Sequence, residues 1–330
     1  VLVLDADAVE TVLPMRDCIE VMESALVALA NKESVSPLRT VIRMPKGAIA
    51  AMPAYDGASA TAGAKIVTVF PGNAAIGLAS HLGVVLLFDA AHGVLRAVLD
   101  ASAITAIRTA AVSALATRVL AREDAQVLAI IGTGVQARAH VESILAVSAI
   151  TEIRVSSRDS DRAQAFVADL SGRYDCAFSV SESVERAVVG ADVVCTVSNS
   201  ATPIVLGAWI QPGTHVNAVG SSMKHARELD ASAVAMSRLY CDARESILTE
   251  SGDFLMAVAE GTVDQSHVIG ELGEVLTGAV PGRTSPEQIT LFKSLGLGIE
   301  DIAAASYAYS RAVQLGVGVE VPFAGQEHHG

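Results

Sequence analysis

The segment Gly132-Thr133-Gly134-Val135-Gln136-Ala137 constrains this chain more than any other. It matches G-x-G-x-x-G/A, and its setting gives the match mechanical meaning. The apolar run Val127–Ile131 ends at its first glycine, and an amphipathic helical pattern over Val135–Val147 opens from it. Gly132 permits the tight turn, Gly134 lets backbone approach a pyrophosphate, and Ala137 is small enough for the helix to pack on the strand. The helix start then offers unpaired N–H groups and the positive end of its dipole to phosphate. A purely structural glycine turn in an α/β sheet is the competing reading.

Downstream, strand and helix patterns alternate. Ile153–Ser156 and later Asp192–Thr196 and His215–Val219 read as strands, with Ser160–Ser171 as a helix. Such alternation predicts a doubly wound parallel sheet with right-handed crossovers, a Rossmann-type α/β fold. Cofactor choice is read at the end of the second strand, where an NAD enzyme usually places an acid on the ribose 2′-OH. Here the residues are Ser156-Ser157-Arg158-Asp159. A hydroxyl beside an Arg suits a 2′-phosphate, which favours NADP over NAD. Asp159 swinging in, or Arg158 as an ordinary solvated charge, are the alternatives.

The flanking regions differ in texture. Val1–Leu4 reads as a strand and is followed by a helical pattern that Asp7 can cap, with Ile19, Met22, Leu26 and Leu29 at helical spacing. Short β-like runs follow at Val41–Met44, Ile49–Met52, Lys65–Phe70 and Val84–Phe88, with turns at Pro71–Asn73 and His92–Gly93. Asp100–Ala121 reads as one Ala-rich helix, and beyond Glu287 a mostly helical tail runs to Gly318. A chain of 330 residues predicts about two domains. They are expected at 120–299 for the dinucleotide domain, and at 1–119 with 300–330 for the other.

Composition limits the partners. No apolar run reaches the roughly 18 residues of a membrane span, so no membrane helix is expected. A net charge of −13 argues against a nucleic-acid binder. An anionic ligand must therefore find a local cationic pocket within an acidic shell. The four cysteines, Cys18, Cys176, Cys195 and Cys241, are far apart and lack metal-site spacing, so they read as buried thiols of a reducing compartment. No secretory signal is visible in VLVLDADAVE, and a cytoplasmic location is expected.

Three cations stand out against that acidity. Lys65 sits in the strand GAKIVTVF on one face with Val67 and Val69, and a strand-edge charge is the bland alternative. Arg108 has Ile104 four residues before it, with Val112 and Leu115 four and seven after, which turns it toward the apolar face of its helix. A buried Arg needs a partner, either an internal carboxylate or a bound anion. Arg39 lies at a loop-to-strand junction and could equally be a surface residue. Inward Lys and Arg on a dinucleotide-binding chain suggest a carboxylate substrate. Arg grips a carboxylate with paired hydrogen bonds, and Lys trades protons when desolvated.

At this point a set of ordered motifs comes together: MPAYDG (Met52–Gly57), AKIVTVFPGN (Ala64–Asn73), ASHLGVVLLFD (Ala79–Asp89), DASAITAIRTAAVSALAT (Asp100–Thr117), IGTGVQARAH (Ile131–His140), GADVVCTV (Gly190–Val197), PGTHVNAVGSS (Pro212–Ser222), ESGD (Glu250–Asp253), GELGEV (Gly270–Val275) and FKSLG (Phe292–Gly296). Over nearly the whole chain this resembles the ornithine cyclodeaminase/mu-crystallin family. The resemblance implies a homodimer, with the N-terminal segment and C-terminal helices forming a mixed α/β dimerisation domain beside the Rossmann domain. It implies Arg39, Lys65 and Arg108 as the substrate-carboxylate and catalytic cluster, and Glu250 as a substrate-side residue. Ser80, His81, Thr109, Val135, Gln136, Ser157, Arg158, Ser198, Val219 and Ser294 are implied as cofactor contacts, beside Gly132 and Gly134 of the glycine motif. His81 read alone is a capping or packing histidine.

The family divides by reaction. Cyclodeaminases, and archaeal alanine dehydrogenases of this fold, carry an Asp two residues after the Val-Gly that ends one strand. Here that strand continues Val219-Gly220-Ser221-Ser222, and a hydroxyl is a poor general base without a partner. The departure agrees with the ketimine-reductase branch. The expected reaction is NAD(P)H-dependent reduction of a small cyclic ketimine carboxylate, such as Δ1-pyrroline-2-carboxylate to L-proline. Water would be kept from the imine by an apolar cleft. Ornithine cyclodeamination is the runner-up, followed by an alanine-type amino-acid dehydrogenase. A nucleotide-binding protein without turnover would be expected to lack Lys65 or Arg108, and both are present.

Overall fold

The structure, a computed structural model, describes residues 1–323; the stretch 324–330, assigned above to the first domain, lies outside the described residues. In chain order the elements are β1 (Leu2–Leu4), α1 (Ala6–Val12), α2 (Met15–Ala30), β2 (Thr40–Met44), β3 (Gly47–Asp56), β4 (Thr61–Val69), β5 (His81–Asp89), β6 (Leu95–Asp100) and α3 (Ala101–Leu120). There follow β7 (Val127–Ile131), α4 (Val135–Val147), β8 (Glu152–Ser156), α5 (Ser160–Leu170), β9 (Ala177–Val180), α6 (Val184–Val188) and β10 (Val193–Thr196). Next come β11 (His215–Ala218), α7 (Ala231–Ala235), β12 (Arg238–Cys241), α8 (Arg244–Glu250), α9 (Gly252–Ala259), β13 (Val268–Glu271), α10 (Leu272–Leu276) and β14 (Thr290–Lys293). The last two are α11 (Gly298–Leu315) and β15 (Val319–Glu320). The chain divides into two compact units. Among the described residues, the first takes 1–108 and 297–323, and the second takes Thr109–Gly296. The division thus falls inside α3, where the sequence reading has it at 119/120.

The second unit is built on an eight-stranded sheet in the order β13-β12-β14-β11-β10-β7-β8-β9, parallel throughout. The chain runs outward from β7 through β8 to β9, then returns to β10 on the other side. The resulting switch point lies between β7 and β10, where ligands of such sheets bind at the carboxyl ends of the strands. Its core is aliphatic, with Ala129, Ile131, Val194, Val216, Leu239 and Leu291 buried together with Phe254. The helical tail expected beyond Glu287 needs correction. It begins with β14, a buried central strand between β11 and β12. Four residues ending in Lys are too short for a readable period, and burial on both faces removes alternation.

The first unit carries a mixed seven-stranded sheet in the order β15-β1-β6-β5-β4-β3-β2. β1 and β6 pair in parallel; the meander β2 to β6 and the β1–β15 pair are antiparallel. Met52 of β3 stands opposite Lys65 of β4. α11 packs against β3 and β4, and its first residue has no room for a side chain. A Cβ on Gly298 would stand 2.9 Å from the Pro53 carbonyl oxygen and 3.0 Å from that of Met52. The glycine therefore lets the helix begin directly on the backbone beside Lys65.

Three further expectations change. The first helical pattern is two helices, broken at Leu13–Pro14. Asp5 caps the first by accepting from Ala8 N at 3.0 Å, while Asp7 lies within its first turn. The Pro71–Asn73 turn opens a longer 3-10 segment, Pro71–Ile76. α3 is long and apolar enough to cross a bilayer, which counting uninterrupted runs overlooked; in this fold it is mostly buried. All four cysteines are free. Cys18, Cys195 and Cys241 are buried and Cys176 is half-buried.

Candidate active site

In the second unit the turn after β7 has the geometry a dinucleotide needs. Gly132 adopts φ +129, and a Cβ there would meet the Val197 carbonyl oxygen at 2.7 Å. Its N–H donates to the Ser156 carbonyl at 2.9 Å, tying the turn to the end of β8. Gly134 caps α4 without any side-chain hydrogen bond, and among the described residues a Cβ on it would meet nothing within 4 Å. The helix start is thus open for phosphate. Thr109, at 6% exposure, has a buried hydroxyl oxygen without a hydrogen-bond partner among the described residues, which leaves it available to a bound ligand. At the end of β8, Thr133 Oγ1 lies 3.5 Å from Ser157 Oγ, and Arg158 is exposed. Asp159 is committed to capping α5: it accepts from Arg162 N at 3.0 Å and pairs with the Arg162 guanidinium at 3.3 Å. These residues fit a bound dinucleotide.

The carboxyl ends of the central strands are held by buried charges the sequence reading did not single out. Glu228, fully buried, accepts from Thr196 Oγ1 (2.8 Å), Ser198 N (2.8 Å), Ser198 Oγ (2.6 Å) and Gly220 N (2.8 Å). Burial raises its pKa, opposed by the bonds from Ser198 and by the Lys293 charge. Asp253 accepts from Glu228 N at 2.8 Å and pairs with Lys293 Nζ at 2.9 Å, and Lys293 donates to the Ser221 carbonyl at 2.6 Å. One network therefore fixes the segments that carry Ser198, Val219 and Ser294. Ser294 is buried, Val219 and Ser198 are half-buried, and Ser222 is exposed. Val135 is exposed at the head of α4, Gln136 is half-buried, and Glu250, half-buried, ends α8.

In the first unit, Lys65 and Arg108 come together, 3% and 4% exposed. Lys65 is the one fully buried residue of β4. Its Nζ lies 2.7 Å from Asp301 Oδ2 and donates to Thr105 Oγ1 at 3.3 Å. Arg108 Nε donates to Asp301 Oδ1 at 2.8 Å, and its Nη1 to Glu300 Oε2 at 2.5 Å. Of the two partners open for Arg108, the structure supplies the internal carboxylates. Both acids are fully buried in the first turn of α11, where the helix dipole favours negative charge. Burial pushes the Lys65 ammonium down to about 8 against the opposing pull of Asp301, with Arg108 and Arg39 adding to the fall. Arg39 is half-buried just before β2. Ser80 Oγ and His81 Nδ1 are 2.9 Å apart at the start of β5. Partial burial, then the Lys65 charge, lowers the His81 pKa.

Glu300 and Asp301 were missed because acids in a first helical turn ordinarily read as solvated dipole partners. The available signal was their position in GIEDIAAAS, two acids inside an otherwise apolar helix start. Glu228 and Asp253 gave less, since ELD and SGD look like loop and cap residues.

Together the units define a class: a Rossmann-type dinucleotide-binding protein with a second α/β unit built around buried cations. The chain belongs to the ornithine cyclodeaminase/mu-crystallin family, which it matches over residues 1–316. It is 42% identical to the ketimine reductase mu-crystallin of Mus musculus over 277 residues, 83% of this chain and 84% of that one. It is 35% identical to a Δ(1)-pyrroline-2-carboxylate reductase of Bacillus cereus over 325 residues, covering 98% of this chain and all of the relative. The solved structure of the Thermococcus litoralis Δ(1)-pyrroline-2-carboxylate reductase in complex with NADH and L-proline superposes with a TM-score of 0.95. That match is at 37% identity and covers 97% of this chain and 100% of the other.

Proposed function

We propose that this protein is an NAD(P)H-dependent reductase of small cyclic ketimine carboxylates, with Δ1-pyrroline-2-carboxylate as substrate and L-proline as product. The observation that carries the reading is the buried Lys65–Asp301–Arg108 cluster, in a chain whose relatives are named for this reaction. The bound nicotinamide supplies the hydride. Arg39, together with Arg108 beyond its Nε and Nη1 bonds to Asp301 and Glu300, holds the substrate carboxylate through charge-assisted hydrogen bonds. Lys65, carried as its ammonium, keeps a proton available to the imine nitrogen, so that the C=N carbon stays electrophilic. Thr109, Gly132, Gly134, Val135, Gln136, Ser157, Arg158, Ser198, Val219 and Ser294 hold the dinucleotide, with Ser80 and His81. Glu250 borders the substrate. Ser222, where related cyclodeaminases carry an acid, leaves no carboxylate at that position to act on an amine or water.

The exposed Arg158 and the capping duty of Asp159 support a preference for NADPH over NADH. The first unit is the dimerisation domain of a cytoplasmic homodimer. Its sheet supports this by exposing Val41, Ile42 and Met44, and light scattering reads the mass directly. Activity is tested by following NADPH and NADH oxidation with pyrroline-2-carboxylate and with piperideine-2-carboxylate. Turnover of at least one, faster with NADPH, is expected. Inactivity on both, with ammonia and proline formed from ornithine, would replace this reading by cyclodeamination.

A further inference from the structure

We propose that Asp301 is a positioning residue for the reaction: its two carboxylate oxygens hold Lys65 and Arg108 at once, fixing the ammonium in its charged form and aiming it alongside the guanidinium. This rests on the reading of Lys65 as the proton-bearing group.

The geometry builds up from one glycine. Gly298 lets the first turn of α11 lie on the Met52–Pro53 backbone, and Met52 stands opposite Lys65 in the sheet. Asp301, one turn into that helix, reaches the ammonium with Oδ2 at 2.7 Å and Arg108 Nε with Oδ1 at 2.8 Å. Glu300 takes the other side of the guanidinium, leaving Asp301 free to bridge. A buried ammonium loses solvation and tends to shed its proton, whereas a carboxylate in contact opposes that tendency. The groups facing Lys65 are Asp301 from α11, Thr105 and Arg108 from α3, Arg39 from the segment before β2, and His81 from β5. Among the groups that act on its charge, Asp301 favours the ammonium, while burial, Arg108 and Arg39 oppose it. Removing the Asp301 charge therefore removes the main force holding the proton on Lys65.

The test uses the whole protein labelled with 13C at lysine Cε. The chain has five lysines, so the Lys65 resonance is identified as the one lost in Lys65→Met. In the wild type it is expected to titrate near pH 8. In Asp301→Asn the midpoint falls by about one unit or more, and the alkaline limb of the kcat profile moves down with it. An unchanged midpoint and limb overturn the proposal. A midpoint that moves while the limb stays leaves Asp301 as the positioning residue and removes Lys65 as the proton-bearing group. Asp301→Glu guards against loss of folding, because it keeps the charge and shifts its position by one methylene. There the Lys65 midpoint stays near that of the wild type, kcat falls about tenfold or more, and KM for NADPH is unchanged. Wild-type kcat in Asp301→Glu overturns the aiming role.

Discussion

Lys65 and Arg108 occupy the same buried cluster, yet their removal should have different consequences. Lys65→Met takes away the ammonium but leaves Asp301 bonded to Arg108. We expect turnover to fall about 100-fold or more, while NADPH affinity, measured by fluorescence titration, stays near that of the wild type. Arg108→Met strands both Glu300 and Asp301 without their guanidinium. Breaking a buried ion pair from one side costs about 3–5 kcal/mol, so urea unfolding should show a loss of that size, well beyond that of Lys65→Met. The two cations were legible in the sequence because each stood in an apolar period where a charge is out of place. Their acidic partners were not. Glu300 and Asp301 become a counter-charge only once α11 meets β3 and β4, a tertiary fact whose one local trace is a pair of acids in an otherwise apolar helix start.

At the scale of elements, the start of α11 is the piece on which the cluster depends. In Gly298→Ala the new Cβ would press on two backbone oxygens of β3, which cannot rotate away as a side chain would. The helix start must then shift, costing about 1–3 kcal/mol and displacing Asp301 from Lys65. Thermal unfolding should show the loss, and kcat should fall more than KM for NADPH rises. The β7–turn–α4 unit was readable to the residue, since glycine spacing, an apolar run and an amphipathic period all agree there. β14 was not. It is short, buried on both faces and ends in Lys293, whose charge is explained by distant partners, Asp253 and the Ser221 carbonyl. The break between α1 and α2 was written in Pro14, yet the apolar spacing on either side concealed it.

The molecule as a whole sets its chemistry against its own charge. A chain of net charge −13 is proposed to bind a phosphate-rich dinucleotide and a carboxylate, through the open start of α4 and a few cations, of which Lys65 and Arg108 are buried. Two buried histidines tie its stability to pH. His140, hydrogen-bonded to Ser113 and the Gln136 carbonyl, is pushed down to about 4 by burial. His215, between Thr290 and Asn217, is pushed down to about 3, again chiefly by burial. The unfolded chain takes up these protons near pH 6.5. Their contribution is therefore intact above that pH and is lost as pH falls toward the folded values. Thermal unfolding from pH 7.5 to pH 4.5 should show a falling midpoint, less steep in His215→Phe relative to its own value at pH 7.5. The proposed reaction is hydride transfer to an imine carbon whose carboxylate and proton are managed by the Arg108 and Lys65 cluster. It is tested most directly by incubating the protein with Δ1-pyrroline-2-carboxylate and NADPH carrying deuterium at both nicotinamide C4 positions, then analysing proline by mass spectrometry. L-proline with one deuterium at Cα, one molecule for each NADPH oxidised, is expected; absence of proline, or proline without that deuterium, would rule this reaction out.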